Sequence, residues 1–443
     1  MSGPVGAEVD VAVVGYGPVG AALAILLGQL GWLVVVLERQ PNHYPLPRAV
    51  HFDHEVGRIL QSCGIGDDLR RIIEPADIYE WRNAAGTTLL RFGRVGDSPS
   101  GWPLSSMFNQ PELESLLDRR ARALPTVEVR RGEEVEALDE DADGVTVRTA
   151  QGRVVRARYV VGCDGANSTV RALTGLAMHD LGFFYDWLVV DVILDHPRVY
   201  DPVNLQVCDP ARPTTVVSGG PGRRRWEFMR LPDEPVDELS DERRAWELLA
   251  PWDVHPGNAR LERHAVYTFR ARYAPRWRAG RVLLAGDAAH LTPPFAGQGL
   301  CAGLRDGANL AWKPVPDLTL RAGRMALPVL MVSDYRLVGY ANAWVRPPLE
   351  SYGAIPLTAV DGADLTWHRA LGDASSTTQL LAGGFRSEFP KNVRLRGRDL
   401  VALAQTVEYR AWTWRVFYGS TRLTLDDPDL NPCLLYTSPS PRD

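Results

Sequence analysis

Gly15, Gly17 and Gly20 lie between two runs of β-branched residues, Val11 to Val14 and Val34 to Val36, and Glu38 closes the second run. This is the order strand, glycine turn, helix, strand, acid. It is suited to a dinucleotide: Gly15 permits the tight turn, Gly17 lets the backbone approach a pyrophosphate, and Gly20 lets the helix pack close to the strand. The helix N-terminus adds free N–H groups and partial positive charge. Glu38 is placed to accept hydrogen bonds from a ribose. Two later acids follow apolar runs of their own: Asp164, with Gly165, after Tyr159 to Cys163, and Asp287 after Val282 to Gly286. A proline-rich loop ends in Arg48, and His51, Asp53 and His54 form a titratable group just beyond it, with His51 the best acid-base candidate.

The elements that must hold these residues can be read from periodicity. A helix is expected to resume at Val56, with Ile59 and Leu60, and another from Gln110 to about Leu124, with Leu113, Leu116 and Leu117 on one face. Short alternating strands at 127–129, 145–147 and 153–157 are joined by turns at Asp143-Gly144 and Gln151-Gly152. Residues 183 to 273 alternate apolar and polar types without helical periodicity, which predicts an inserted β-sheet carrying Tyr185 and Trp187. A last helix is expected from Gln298 or Gly299 to Lys313, stopped by Pro314 and Pro316.

At 443 residues, two or three domains are expected. A net charge of −5 without a basic stripe gives no reason to expect nucleic acid, and Arg223, Arg224 and Arg225, the tight basic run, read as a solvated strand end or turn. Five scattered cysteines lack metal-ligand spacing, so no metal is expected, and they fit a reduced, cytoplasmic compartment. No basic segment followed by an apolar core marks a secretory leader, and Ala21 to Leu37 reads as a helix entering a strand rather than a membrane span.

Taken together, Gly15-x-Gly17-x-x-Gly20, Cys163 to Arg171 and Gly286-Asp287-Ala-Ala-His290 resemble the single-component FAD-dependent aromatic hydroxylases. The segments 47–55, 108–114 and Gly299-x-x-x-Gly303-Leu304-Arg305-Asp306 are most similar to the 3-(3-hydroxyphenyl)propionate hydroxylase branch, and the likeness covers residues 8 to 313. The resemblance implies an α/β fold: a three-layer, Rossmann-like FAD-binding domain with an inserted β-sheet substrate domain. The expected divisions are 1–182 and 274–313 for the FAD-binding part and 183–273 for the sheet. Residues 314–430 are left unassigned and 431–443 read as a non-native tail.

It further implies that Asp287 takes the ribityl hydroxyls of a flavin, that Asp164 and Gly165 support the flavin side of the fold and the approach of a nicotinamide, and that Arg48 meets the pyrophosphate or the isoalloxazine. Gln110 would meet the ribityl or phosphate part, and the run from Pro293 through Pro294 and Gly297 to Gly299 would face the pyrimidine ring. The implied reaction uses NADH or NADPH and O2 to hydroxylate a small phenolic substrate through a flavin C4a-hydroperoxide. A polyketide-tailoring monooxygenase, or a flavin-binding protein without activity, shares the same motifs, and a homodimer is left open. If the reading holds, the glycine turn and Asp287 must meet in space.

Overall fold

The strand Glu8–Val14 and the helix Pro18–Gln29 set the first layers, because both are apolar almost all round and must be covered on every side. In a computed structural model, which describes residues 8–76, 78–93, 98, 100–293, 297–311, 318–326, 359–371, 374–389, 393–409 and 412–426, that covering is supplied by parallel strands and flanking helices. The chain divides into two units, Met1–Ala311 and Trp312–Asp443.

In the first unit, the parallel strands run in the order Val282–Leu284, Val154–Gly162, Glu8–Val14, Val34–Glu38, Val127–Arg131. The helix Pro18–Gln29 lies in a core with Leu113, Leu116 and Leu117 of the helix Gln110–Arg122 and with Leu304 of the helix Gln298–Ala311. The opposite face of the sheet buries Val35, Val145, Val160 and Leu284. The fold is therefore the expected Rossmann-like, three-layer α/β type. The strand Val135–Glu140, which the sequence reading did not name, completes a hairpin with Val145–Thr149.

A second sheet of the first unit is built mainly from His179–Leu194, Asn204–Cys208, Thr214–Ser218, Arg223–Met229 and Ala259–Tyr273. It begins before residue 183 and recruits Ile78–Asn83 and Thr88–Gly93 from far upstream, as well as His290–Leu291 from downstream. One face packs Leu188, Val190, Trp226 and Phe228 against the helix Glu242–Leu249, an eight-residue helix that the alternation of the surrounding strands hid.

The second unit is a five-stranded antiparallel meander, Leu318–Ala326, Ala359–Leu371, Ala374–Phe389, Val393–Tyr409 and Trp412–Asp426. Its small core holds Val360, Leu381, Phe385, Leu400 and Ala402. Lys313 of the expected last helix, Pro294 of the expected flavin loop and the tail 431–443 lie outside the described residues.

Candidate functional site

The glycine turn is fixed by steric exclusion. Gly15 adopts φ +98°, where a Cβ would stand 2.5 Å from the Cys163 carbonyl oxygen. A Cβ on Gly20 would come within 2.1 Å of the Gly15 oxygen. Gly17 differs: its φ is −76° and a Cβ there would meet nothing within 4 Å. It caps the helix Pro18–Gln29 without a side-chain hydrogen bond, so the helix start faces open space. Glu38 closes the rim, accepting from the Tyr16 N–H at 2.7 Å on one oxygen and the Gln40 N–H at 2.8 Å on the other. Each oxygen keeps a lone pair for a further donor.

The three motifs converge on this turn. Cys163 donates its N–H to Val14 at 2.7 Å, and Ala285 donates to Gly162 at 2.9 Å. Gly286, at φ +62°, lies against Val19, with a Cβ position 3.2 Å from Val19 Cγ2. A Cβ on Gly303 would stand 2.7 Å from that same methyl and 3.1 Å from the Gly286 Cα. Gly286, which precedes Asp287, therefore touches a residue of the glycine turn, as the sequence reading requires.

Asp164 is turned inward. It accepts from the Ser168 hydroxyl at 2.5 Å and the Val170 N–H at 3.0 Å, while Ser168 caps the helix Thr169–Leu173. Gly165 sits at φ +83° with open space around it. Arg171 ties the second motif to the third through the carbonyls of Ala166 and Ala288, both at 2.8 Å. Asp306 accepts from the Gly286 N–H at 3.0 Å and pairs with His290 Nε2 at 2.7 Å.

Burial alone would lower the His290 pKa, but the hydrogen bond and charge of Asp306, joined by Asp287, raise it above the usual histidine value. Asp287 keeps surface open to solvent while the surrounding protein holds its carboxyl above the ordinary carboxylate range, against the opposing charges of His290 and Arg48. No described residue hydrogen-bonds to Asp287.

Arg48 is exposed and stacks over the Tyr44 ring at 4.5 Å. Gln110 is buried with both ends of its amide engaged: its oxygen accepts from the Ala49 N–H and its nitrogen donates to Glu114, each at 2.7 Å. It thus holds the loop that carries Arg48. Of the expected titratable group, His51 and Asp53 feel each other's charge and His54 turns away. Asp53 caps the helix His54–Ser62 and pairs with Arg305 at 2.6 Å, and His54 turns to Ser100 at 3.2 Å. His51 instead faces the third motif, with Nδ1 3.5 Å from the Gly297 carbonyl oxygen, and burial lowers its pKa. Gly297 stands at φ +63°, where a Cβ would press on the His51 ring at 3.0 Å. A Cβ on Gly299 would lie 3.4 Å from the Thr292 hydroxyl, which is buried without a partner.

The basic run is the clearest correction. Arg224 and Arg225 are only 3% and 4% exposed, inside the strand Arg223–Met229 rather than at a solvated end. Arg225 pairs with buried Asp191 at 2.6 Å, and Arg263 reaches the same carboxylate at 2.9 Å. Arg225 also donates to the carbonyls of Arg48 at 2.7 Å and Pro47 at 3.2 Å, joining the second sheet to the Arg48 loop. Arg224 points the other way, over the Tyr200 ring, where burial pushes its pKa down to about 10. Sequence reasoning missed Asp191, Arg225 and Arg263 because their partners are 34 and 72 residues apart. Tyr185 is 46% exposed and Trp187 half-buried on the strand His179–Leu194, facing the side of Asp191.

The group set suits a flavin dinucleotide: an uncapped helix start with open space at Gly17, a carboxylate at Glu38 with spare lone pairs and, among the described residues, a carboxylate at Asp287 without a donor and a hydroxyl at Thr292 without a partner. Comparison with known proteins agrees. Residues 8–326 match the FAD binding domain family. A probable NADH-specific resorcinol 4-hydroxylase of Rhodococcus jostii (strain RHA1) is 44% identical over 310 residues, 69% of this chain and 58% of that protein. A 3-(3-hydroxy-phenyl)propionate/3-hydroxycinnamic acid hydroxylase of Mycobacterium sp. (strain JLS) is 39% identical over 321 residues, 71% of this chain and 55% of that one. The chain spans little more than half the length of these relatives. Among solved structures, p-nitrophenol 4-monooxygenase from Pseudomonas putida DLL-E4 superposes with a TM-score of 0.62 at 32% identity, covering 69% of this chain and 79% of its own.

Proposed function

The chain belongs to the FAD binding domain family, and from that premise we propose that it is an FAD-dependent monooxygenase that hydroxylates a phenolic ring with NADH and O2. The observation that carries this reading is the close approach of Gly286 to Val19, which sets the glycine turn and the Asp287 motif side by side. Bound FAD supplies hydride acceptance and oxygen activation. The protein's own residues bind, orient and exclude water.

In this reading, Gly17 and the start of the helix Pro18–Gln29 hold the pyrophosphate, Glu38 the ribose and Asp287 the ribityl hydroxyls. Gly165, Gly297 and Gly299 leave backbone room for the cofactor. Asp164 and Gln110 act as positioning residues, the first by ordering the turn before Ser168 and the second by holding Ala49 beside Arg48. Arg48 presents the positive charge that stabilises negative charge on the reduced cofactor. His51, whose pKa burial lowers, turns Nδ1 toward the Gly297 carbonyl oxygen at 3.5 Å. The relatives' names support a small phenol as substrate and NADH as reductant.

The purified protein is expected to be yellow, and resorcinol or 3-(3-hydroxyphenyl)propionate should stimulate NADH oxidation and oxygen uptake with a hydroxylated product. A yellow protein whose NADH oxidation no phenol accelerates would leave a flavin-binding protein without this activity. A colourless one that takes up no FAD would overturn the reading altogether.

A further inference from the structure

Three successive residues of the loop that carries Arg48 have their backbone held by side chains from far along the chain. Arg225, on the second sheet, donates to the carbonyls of Pro47 at 3.2 Å and Arg48 at 2.7 Å. From the helix Gln110–Arg122, Gln110 accepts from the Ala49 N–H at 2.7 Å. The Arg48 backbone is thereby clamped while its side chain stays exposed, over the Tyr44 ring. A guanidinium on a fixed root reaches only where its own rotamers carry it, so the clamp decides where that charge is presented.

Gln110 does not set its own orientation. A spacing of four puts Gln110, Glu114 and Asp118 along one stripe of the helix. Asp118 lies 3.6 Å from His43, so the stripe follows the loop from His43 to Ala49. Glu114, between the two, is 8% exposed and accepts from Gln110 Nε2 at 2.7 Å. The Ala49 N–H can only donate, so the Gln110 amide must turn its oxygen to it, and the amide nitrogen then needs an acceptor of its own. Without one, a buried N–H would go unsatisfied. Burial raises the Glu114 pKa, against the Gln110 hydrogen bond and the charges of Arg48, His43 and Arg131. A carboxyl oxygen accepts in either protonation state, so the hydrogen bond does not depend on that charge.

We propose that Glu114 is a positioning residue for Arg48 that acts through Gln110: its carboxyl oxygen holds the Gln110 amide with the amide oxygen toward Ala49, which fixes the root of the arginine. Glu114 touches no reacting atom in this assignment. What Arg48 then meets rests on the FAD reading above, whereas the path from Glu114 to Ala49 stands on the protein alone.

The test compares Glu114→Leu with Glu114→Gln. Both remove the charge and fill about the same space, but only the glutamine keeps an oxygen for Gln110. In the FAD-free protein, amide hydrogen exchange resolved to Ala49 should quicken about tenfold or more in Glu114→Leu and stay within about threefold of wild type in Glu114→Gln. Glu114→Ala should match the leucine variant without adding an apolar group. The dissociation constant for FAD should rise about tenfold or more in Glu114→Leu, and the flavin reduction potential should fall below that of Glu114→Gln, because a loosened Arg48 stabilises the reduced form less. Gln110→Leu should reproduce these effects, and the double variant should add nothing to them. Equal Ala49 exchange in Glu114→Leu and Glu114→Gln overturns the proposal, as does a double variant whose effects are the sum of the single ones. A wild type that takes up no FAD sinks the functional reading instead, while Ala49 exchange still decides the role of Glu114.

Discussion

The glycine turn at residues 15–20 and the sheet face around Asp191 both adjoin the loop and motifs of the proposed site or its supports, and they reach their shape by opposite means. The turn is built by removing side chains: Gly15 and Gly20 have no room for a Cβ, and Gly17 leaves its space to something else. The sheet face is built by adding charge and then cancelling it, with one buried carboxylate at Asp191 shared by two arginines. A wall of the first kind is set by chain geometry and can recognise a group common to many ligands. One of the second kind is set by non-local pairing.

That contrast is broken most severely at Asp191. Asp191→Ala leaves Arg225 and Arg263 buried without their counter-charge, and urea denaturation should show a loss of about 3–5 kcal/mol. A loss under 1 kcal/mol would mean that the pairing does not hold the sheet face together. Gly20→Ala comes next. Its methyl would need to displace the Gly15 carbonyl, so the protein should lose about 1–3 kcal/mol and much of its FAD, read from the absorbance of the purified protein.

A third, smaller effect separates the two walls by pH. His290 has a raised pKa in the folded protein, so the stabilisation from its charged pairing with Asp306 is fully present below about pH 6.5, its unfolded value, and fades as pH rises through the folded value. The thermal midpoint should fall across that window, and His290→Asn should flatten the change. Gly17→Ala should be the mildest in the FAD-free protein, within about 0.5 kcal/mol of wild type, because its Cβ meets nothing. The same variant should bind FAD at least about tenfold more weakly. Unchanged FAD affinity would show that the space at Gly17 is not the pyrophosphate site.

The legible part of the site was the part that local sequence can encode. Gly15, Gly17, Gly20 and Glu38 lie within one supersecondary unit, so spacing alone marked them, and the apolar strand before Asp287 did the same for the third motif. The sheet face carries no such signature. Arg225 and Asp191 meet only because two strands pair in a register that adjacent residues do not reveal, and an isolated run of three arginines looks solvated until its partners are known. Of His51, Asp53 and His54, the first two remain within electrostatic reach of each other and His54 turns away to Ser100. Adjacent side chains at a strand-to-helix junction point in different directions, which Asp53, in a helix cap, and His54, toward Ser100, do here. The strands upstream at 78–93 were likewise invisible as members of a sheet formed mostly a hundred residues later.

Arg225 has a consequence for anyone who would redesign this protein. Two of its nitrogens hold the backbone of Pro47 and Arg48, while a third is locked on Asp191 within the second sheet. The second sheet and the loop that carries Arg48 are thereby mechanically coupled. Libraries that vary the strands 187–191 and 223–229 should be screened first for retained yellow colour, since a change in this sheet pulls on the loop that carries Arg48.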